Sequence, residues 1–406
     1  MFGRIRQNKL PLTERLWLLM LFLFAVSIFN KGGYILMAAI AMTCLLYVFR
    51  IRIDVTMLWL LLFSVSYSTI HILYFGFSFS DFCNHFAAPW GAYLVGKCYT
   101  RRFRHGEPLL RLMLAVAAGM FVHGTLNIFL QIFVFPNPLV GSRMAYDIWH
   151  GQYISVTGAG LLYTLMTGMA FGILFSECKV CYKILSLVII GIAMLYSIKL
   201  AHRTTTVLIA IILLAYLYMR IIVGFRPTRR NILVLMLAVL AVIFLIACVV
   251  FDLFGLRTWI TSQDLYLRLT NKDAANSGGR LTIWLSFLKQ FLFYPMGGKH
   301  ISLAENANYV HNMWFDIHYS CGILPFIAVL GATWSGFIGV LRVLKSRGRV
   351  SLLTRNCLFF VSIAFILNAA VEPVLEANPY FLFSYLMILG GAAGLKGRKT
   401  AGGDAQ

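Results

Sequence analysis

Charge is scarce in this chain, and acid is scarcest: 12% of the 406 residues are charged, and only 14 acidic side chains stand against 35 lysines and arginines. So little charge cannot coat a soluble domain. The 60% hydrophobic content and mean hydropathy of +0.81 lie far beyond the roughly half-apolar composition of soluble proteins. Internal repeats, low-complexity tracts and soluble-domain linkers are also lacking. The first apolar run follows Arg4, Arg6, Lys9 and Arg15 but has no A-x-A-like cleavage site, so it reads as a retained anchor. No HxxxH or carboxylate-flanked histidine spacing points to a metal, and no phosphate-binding glycine pattern points to a nucleotide. Neither a metal nor a cofactor is expected. The lone CxxC, Cys178 and Cys181, falls in a short loop where thiols stay reduced, and it carries little weight.

What is present is a succession of apolar runs near the ~20 residues that cross a bilayer. They lie at 16–30, 33–49, 55–76, 81–96, 112–135, 153–176, 184–198, 204–222, 231–251, 313–341, 356–371 and 379–395. The expectation is an all-α polytopic membrane protein of about twelve helices forming one membrane domain over 1–406. The 81–96 run carries Asn84, His85 and Pro89, which suits a broken or re-entrant helix.

Lysine and arginine collect in cytoplasmic loops. With both termini inside, 25 of the 35 cations fall on the cytoplasmic side, and nine of the 14 acids fall outside. The positive excess is therefore a topology signal and not a nucleic-acid footprint. Such a chain belongs in a cytoplasmic (inner) membrane, among membrane lipids.

Two external connections are long, 136–152 and the segment 252–312 between the ninth and tenth runs, and long loops in compact proteins tend to be functional. In the second, Arg280 to Phe293 reads as an amphipathic helix lying on the membrane surface, with Leu281, Trp284, Leu285 and Leu288 on one face. Pro295 ends it and Gly297-Gly298 supply a turn. The first loop offers Arg143, Asp147, Trp149 and His150 as sugar or phosphate ligands, or as solvated surface. Glu372 and Glu376, in the last external turn, suit acceptor hydroxyls, polarisation of His311 or plain solvation. Asn312 either orients His311 or caps a helix, and His318 reads as a packing residue.

Ser277-Gly278-Gly279-Arg280 with Trp284, then Pro295 and Gly297-Gly298, then His311-Asn312 followed after nine residues by Gly322, resembles the signature loop of the O-antigen ligase and polymerase superfamily. The His-Asn-x9-Gly spacing is the ligase-type form. Ala201-His202-Arg203-Thr204 is similar to the family's Ser-Arg-Thr element, whose arginine faces the same site. Two positions depart from the pattern: Pro325 stands where a second glycine is frequent, and His202 replaces a small residue.

The resemblance implies a glycosyltransferase that takes a glycan from an undecaprenyl-diphosphate carrier at the outer face of the membrane. Its acceptor would be lipid A core or a growing polysaccharide. The residues suit this chemistry. Arg280 and Arg203 offer planar donor forks for a leaving diphosphate, and His311 is a general base for the acceptor hydroxyl. Two other classes stay open: a lipid-linked-glycan flippase or transporter, and a non-catalytic subunit working with envelope-assembly partner proteins. A transporter places ionisable or broken-helix sites at mid-membrane, whereas the span interiors here are nearly free of charge.

Overall fold

The computed structural model describes residues 10–47, 51–103, 107–134, 144–218, 250–263, 279–346 and 350–395, with isolated positions besides. Among these the chain is helical, with one two-stranded hairpin. The helices longer than six residues are α1 (Leu12–Val26), α2 (Gly32–Tyr47), α3 (Val55–Phe75), α4 (Ala88–Arg102), α5 (Pro108–Phe133), α6 (Val156–Phe175), α7 (Val180–Lys199), α8 (Arg203–Tyr218), α9 (Arg280–Gln290), α10 (Met313–Cys321), α11 (Ile323–Lys345), α12 (Leu352–Val371) and α13 (Pro379–Gly394). Six of them, α3, α5, α6, α7, α11 and α12, are long and apolar enough to cross a membrane. This is a helical multi-pass membrane protein.

Eleven of the twelve expected runs coincide with helices; the ninth, 231–251, lies largely outside the described residues. Two runs need correction. The 313–341 run is not one helix: Gly322, with φ +82°, breaks it into the short α10 and the long α11. The 81–96 run is not broken, because helical backbone continues from Phe79 through a π-turn at Cys83–Ala87 into α4. A π-turn absorbs one extra residue without interrupting the helix.

Ion pairs sort the two ends of the bundle. At one end Glu14 of α1 meets Arg111 of α5 at 2.6 Å, and Asp54, which caps α3, meets Lys97 of α4 at 2.6 Å. All four fall on the side that the cation count assigns to the cytoplasm. At the other end, the hairpin of β1 (Met144–Asp147) and β2 (Gln152–Ser155) sits between α5 and α6. Broad apolar exposure along α7, including Val180, Leu185 and Leu187, is what lipid-facing helices present.

Candidate functional site

The loop from Arg280 to Gly322 has a small core of its own. Ile283 and Phe287 of α9 pack on Ile301, Leu303, Val310 and Tyr319, with Trp284, Phe291 and Phe315 around them. The amphipathic helix is present. Leu281, Leu285 and Leu288 are exposed at 60%, 49% and 52%, and the buried face is Ile283 and Phe287. Trp284, expected on the face of the leucines, packs instead with Ile283 and Phe287 on the loop core.

The glycines of the loop join it to the bundle. Gly297 and Gly298 both have positive φ. Gly298 N–H donates to the Ser320 carbonyl at 3.0 Å, Lys299 N–H to the Tyr319 carbonyl at 2.9 Å, and Ile323 N–H to the Pro295 carbonyl at 2.8 Å. The turn after Pro295 thereby docks on the end of α10.

Glu372 is where the separated residues meet. It stands at the end of α12, is 1% exposed, and accepts a 3.1 Å hydrogen bond from an Arg280 guanidinium nitrogen and another from the Thr204 hydroxyl. Its second carboxylate oxygen has no hydrogen-bond partner among the described residues and faces His311 Nδ1 at 4.0 Å. That spacing is too long for a hydrogen bond, though small enough for a side-chain rotation to close. Arg280 and His311, 31 residues apart, are thus brought to one buried acid. Glu372 is not a solvated loop residue, since burial in this company requires a charged partner.

His311 owes its position to a residue that the sequence did not single out. Its backbone is left-handed, with φ +58°, a conformation costing non-glycine residues about 1–2 kcal/mol. Asp316, one turn into α10 and 3% exposed, holds both sides of it: Val310 N–H donates to one carboxylate oxygen at 2.6 Å, Asn312 N–H to the other at 3.0 Å. The Trp284 indole N–H donates to the Val310 carbonyl at 2.8 Å. Four residues apart on α9, Arg280 and Trp284 share a face, so one reaches Glu372 while the other fixes the approach to His311.

Asn312 is the N-cap of α10, where its side-chain oxygen accepts from Trp314 and Phe315 N–H and its amide donates to the Ala370 carbonyl. Its groups are engaged in the fold rather than turned to a substrate. Glu376, in the short helix Val374–Ala377 that follows α12, accepts from the Ser320 hydroxyl and lies 3.9 Å from the Lys299 ammonium. Arg203 opens α8, half-buried, immediately before Thr204. Arg143, with Ser277 and Gly278, lies outside the described residues. His318 is fully buried and stacks on Phe291 at 4.0 Å, as a packing residue does. His202 is buried against Gly160, where an added Cβ would stand 2.4 Å from the imidazole; the missing side chain there makes room for the larger residue.

Asp147 is no solvated loop residue either. It is 1% exposed and accepts from His123, His150 and Asn127 side chains and from Trp149 and His150 N–H. Burial pushes its carboxyl up, but the hydrogen bonds from His123 and His150 outweigh burial and hold it well below the usual carboxylate range. His150 is raised in turn, chiefly by its hydrogen bond to Asp147. No group of three or more potential metal ligands occurs among the described residues. In comparison with known proteins, the chain matches no family model and no curated protein.

Proposed function

We propose that the chain is a membrane glycosyltransferase of the O-antigen ligase type, moving a glycan from a polyprenyl-diphosphate carrier to an acceptor hydroxyl on the outer face of the cytoplasmic membrane. The observation that carries this reading is the meeting of Arg280 and His311 at the buried Glu372. In this scheme His311 accepts the acceptor proton through Nε2 while Glu372 steadies the imidazole through Nδ1. The acceptor oxygen attacks the sugar carbon, the carbon–oxygen bond to the diphosphate breaks, and Arg280, with Arg203 at the start of α8, takes up the charge on the leaving group. The ligase-type spacing from His311 to Gly322 favours a ligase over a repeat-unit polymerase.

The test is transfer by the purified protein in vesicles holding a lipid-diphosphate-linked donor and a lipid A core acceptor. Transfer is expected, with His311→Asn reducing turnover by about 10²-fold or more because asparagine tolerates the left-handed backbone. A well-folded His311→Asn variant with normal turnover removes the base. Absence of transfer with every acceptor, together with carrier movement between leaflets, supports the flippase class instead. Cysteines at Asn306 and Ser346 should react with impermeant reagent from opposite sides, Asn306 from outside.

A further inference from the structure

Three non-glycine residues in the loop between α9 and α11 have positive φ: Lys299, Asn306 and His311. Asparagine and histidine are among the residues found most often in that region after glycine; lysine is not. Lys299 is held there by its N–H bond to Tyr319 and by the turn at Gly297-Gly298 before it.

The strained backbone sets an ammonium in a defined place. Lys299 Nζ lies 5.6 Å from the Phe75 ring centroid and 5.6 Å from that of Tyr309. The Tyr309 ring is in turn 6.4 Å from His311, so a single aromatic residue separates the ammonium from the imidazole. Its acid partner is Glu376, four residues beyond Glu372, at 3.9 Å. Arg280 and Lys299 are therefore paired with two acids four residues apart, and both cations lie near His311, one through Glu372 and the other through Tyr309. The pairs differ in tightness: Arg280 is hydrogen-bonded to a fully buried acid, whereas Lys299 is 35% exposed and only loosely paired with an acid that is 24% exposed. An ammonium held in place, partly exposed and only loosely paired is suited to a substrate anion.

We infer that Lys299 is a further cationic ligand for the donor, contacting its diphosphate alongside Arg280 and Arg203. The inference rests on the transferase reading. On it, Lys299 joins Arg280 and Arg203 at the diphosphate, with His311 facing the sugar.

Binding of geranylgeranyl diphosphate and of geranylgeranyl monophosphate to the detergent-purified full chain tests the assignment, with glycan transfer measured on the same preparations. Lys299→Met should weaken diphosphate binding by about tenfold or more, the loss of one charge-assisted contact, and leave the monophosphate nearly unaffected. Lys299→Gly relieves the backbone while removing the ammonium, and should show the same selective loss even where Lys299→Met folds poorly. Lys299→Arg should retain the preference for diphosphate. Wild-type transfer with unchanged diphosphate preference in both Lys299→Met and Lys299→Gly overturns the role of Lys299 alone. A wild-type protein that neither prefers the diphosphate nor transfers glycan overturns the transferase reading, and this inference with it.

Discussion

Gly297 and Gly322 stand back to back. A Cβ on Gly297 would lie 2.4 Å from the Gly322 nitrogen, and one on Gly322 would lie 2.3 Å from the Pro295 carbonyl oxygen. Both also take left-handed backbone, with φ +74° and +82°. Their spacing in the sequence is thus a packing requirement: the turn after α9 and the break between α10 and α11 are two halves of one backbone contact.

Gly322→Ala should therefore destabilise the protein by about 1–3 kcal/mol, from the disfavoured φ and the overpacked contact together. Thermal unfolding in detergent reads this directly. An alanine variant with the wild-type unfolding temperature would mean that the contact is looser than its distances indicate.

Asp316→Asn keeps the size of the side chain and one acceptor oxygen, but turns an amide NH2 toward one of the two N–H groups flanking His311. Leaving a buried donor unsatisfied costs about 1–3 kcal/mol. On the transferase reading, turnover should fall more than donor affinity, because the change displaces His311 and not the cations proposed to hold the diphosphate. A variant with unaltered turnover and lowered stability would show that the clamp serves the fold alone.

Glu372→Gln retains an acceptor for the Thr204 hydroxyl and removes the charge facing Arg280 and His311. Transfer should drop by about 10- to 100-fold, part of the 10²–10⁴ that a general base supplies. The comparison with Glu376→Gln separates roles: there the expected change is in donor affinity, and equal turnover defects in both would remove the distinction between the two acids.

The hairpin should respond to pH through Asp147 and His150. The His150 pKa is raised in the fold, so its contribution is complete below the unfolded value of about 6.5 and is lost as pH rises through the higher folded value. Asp147 is depressed, so its contribution is complete above about 3.9 and is lost as pH falls through its lower folded value. Amide protection at Trp149 and His150, corrected for intrinsic exchange, should be greatest between about pH 4 and 6.5 and decline toward pH 9. Constant protection across that alkaline range would remove the coupling, and His150→Gln should abolish any decline.

Apolar run length made the bundle legible, since a bilayer demands about 20 apolar residues whatever the packing. It could not register Gly322, because the residues on either side of the break are equally apolar. In the site, Arg280, His311 and Glu372 stood out as polar residues beside spans. Their convergence was hidden because it joins α9, α10 and α12 across the chain, and local spacing carries no such information. Asp316 was hidden more completely: it hydrogen-bonds to backbone N–H groups, and neither of the residues it serves needs a particular side chain for that. On α9, periodicity identified the helix but not its inner face, because leucines and aromatics occupy two neighbouring stripes.

The outward leucines of α9 have a bearing on depth. A helix resting on its apolar flank settles about 5–10 Å into the boundary between headgroups and acyl chains, and Leu281, Leu285 and Leu288, with Leu292 just beyond the helix end, form such a flank here. Arg280 is the first residue of the same rigid rod. Its guanidinium then rides at an altitude fixed by those four side chains, like a pointer on a float. The polyprenyl carrier of the proposed function would hang its phosphates at a level fixed by its own tail, so the two levels would coincide only in a bilayer of suitable thickness. Substituting the leucines by polar residues would lift the pointer off its mark without altering any group in the site.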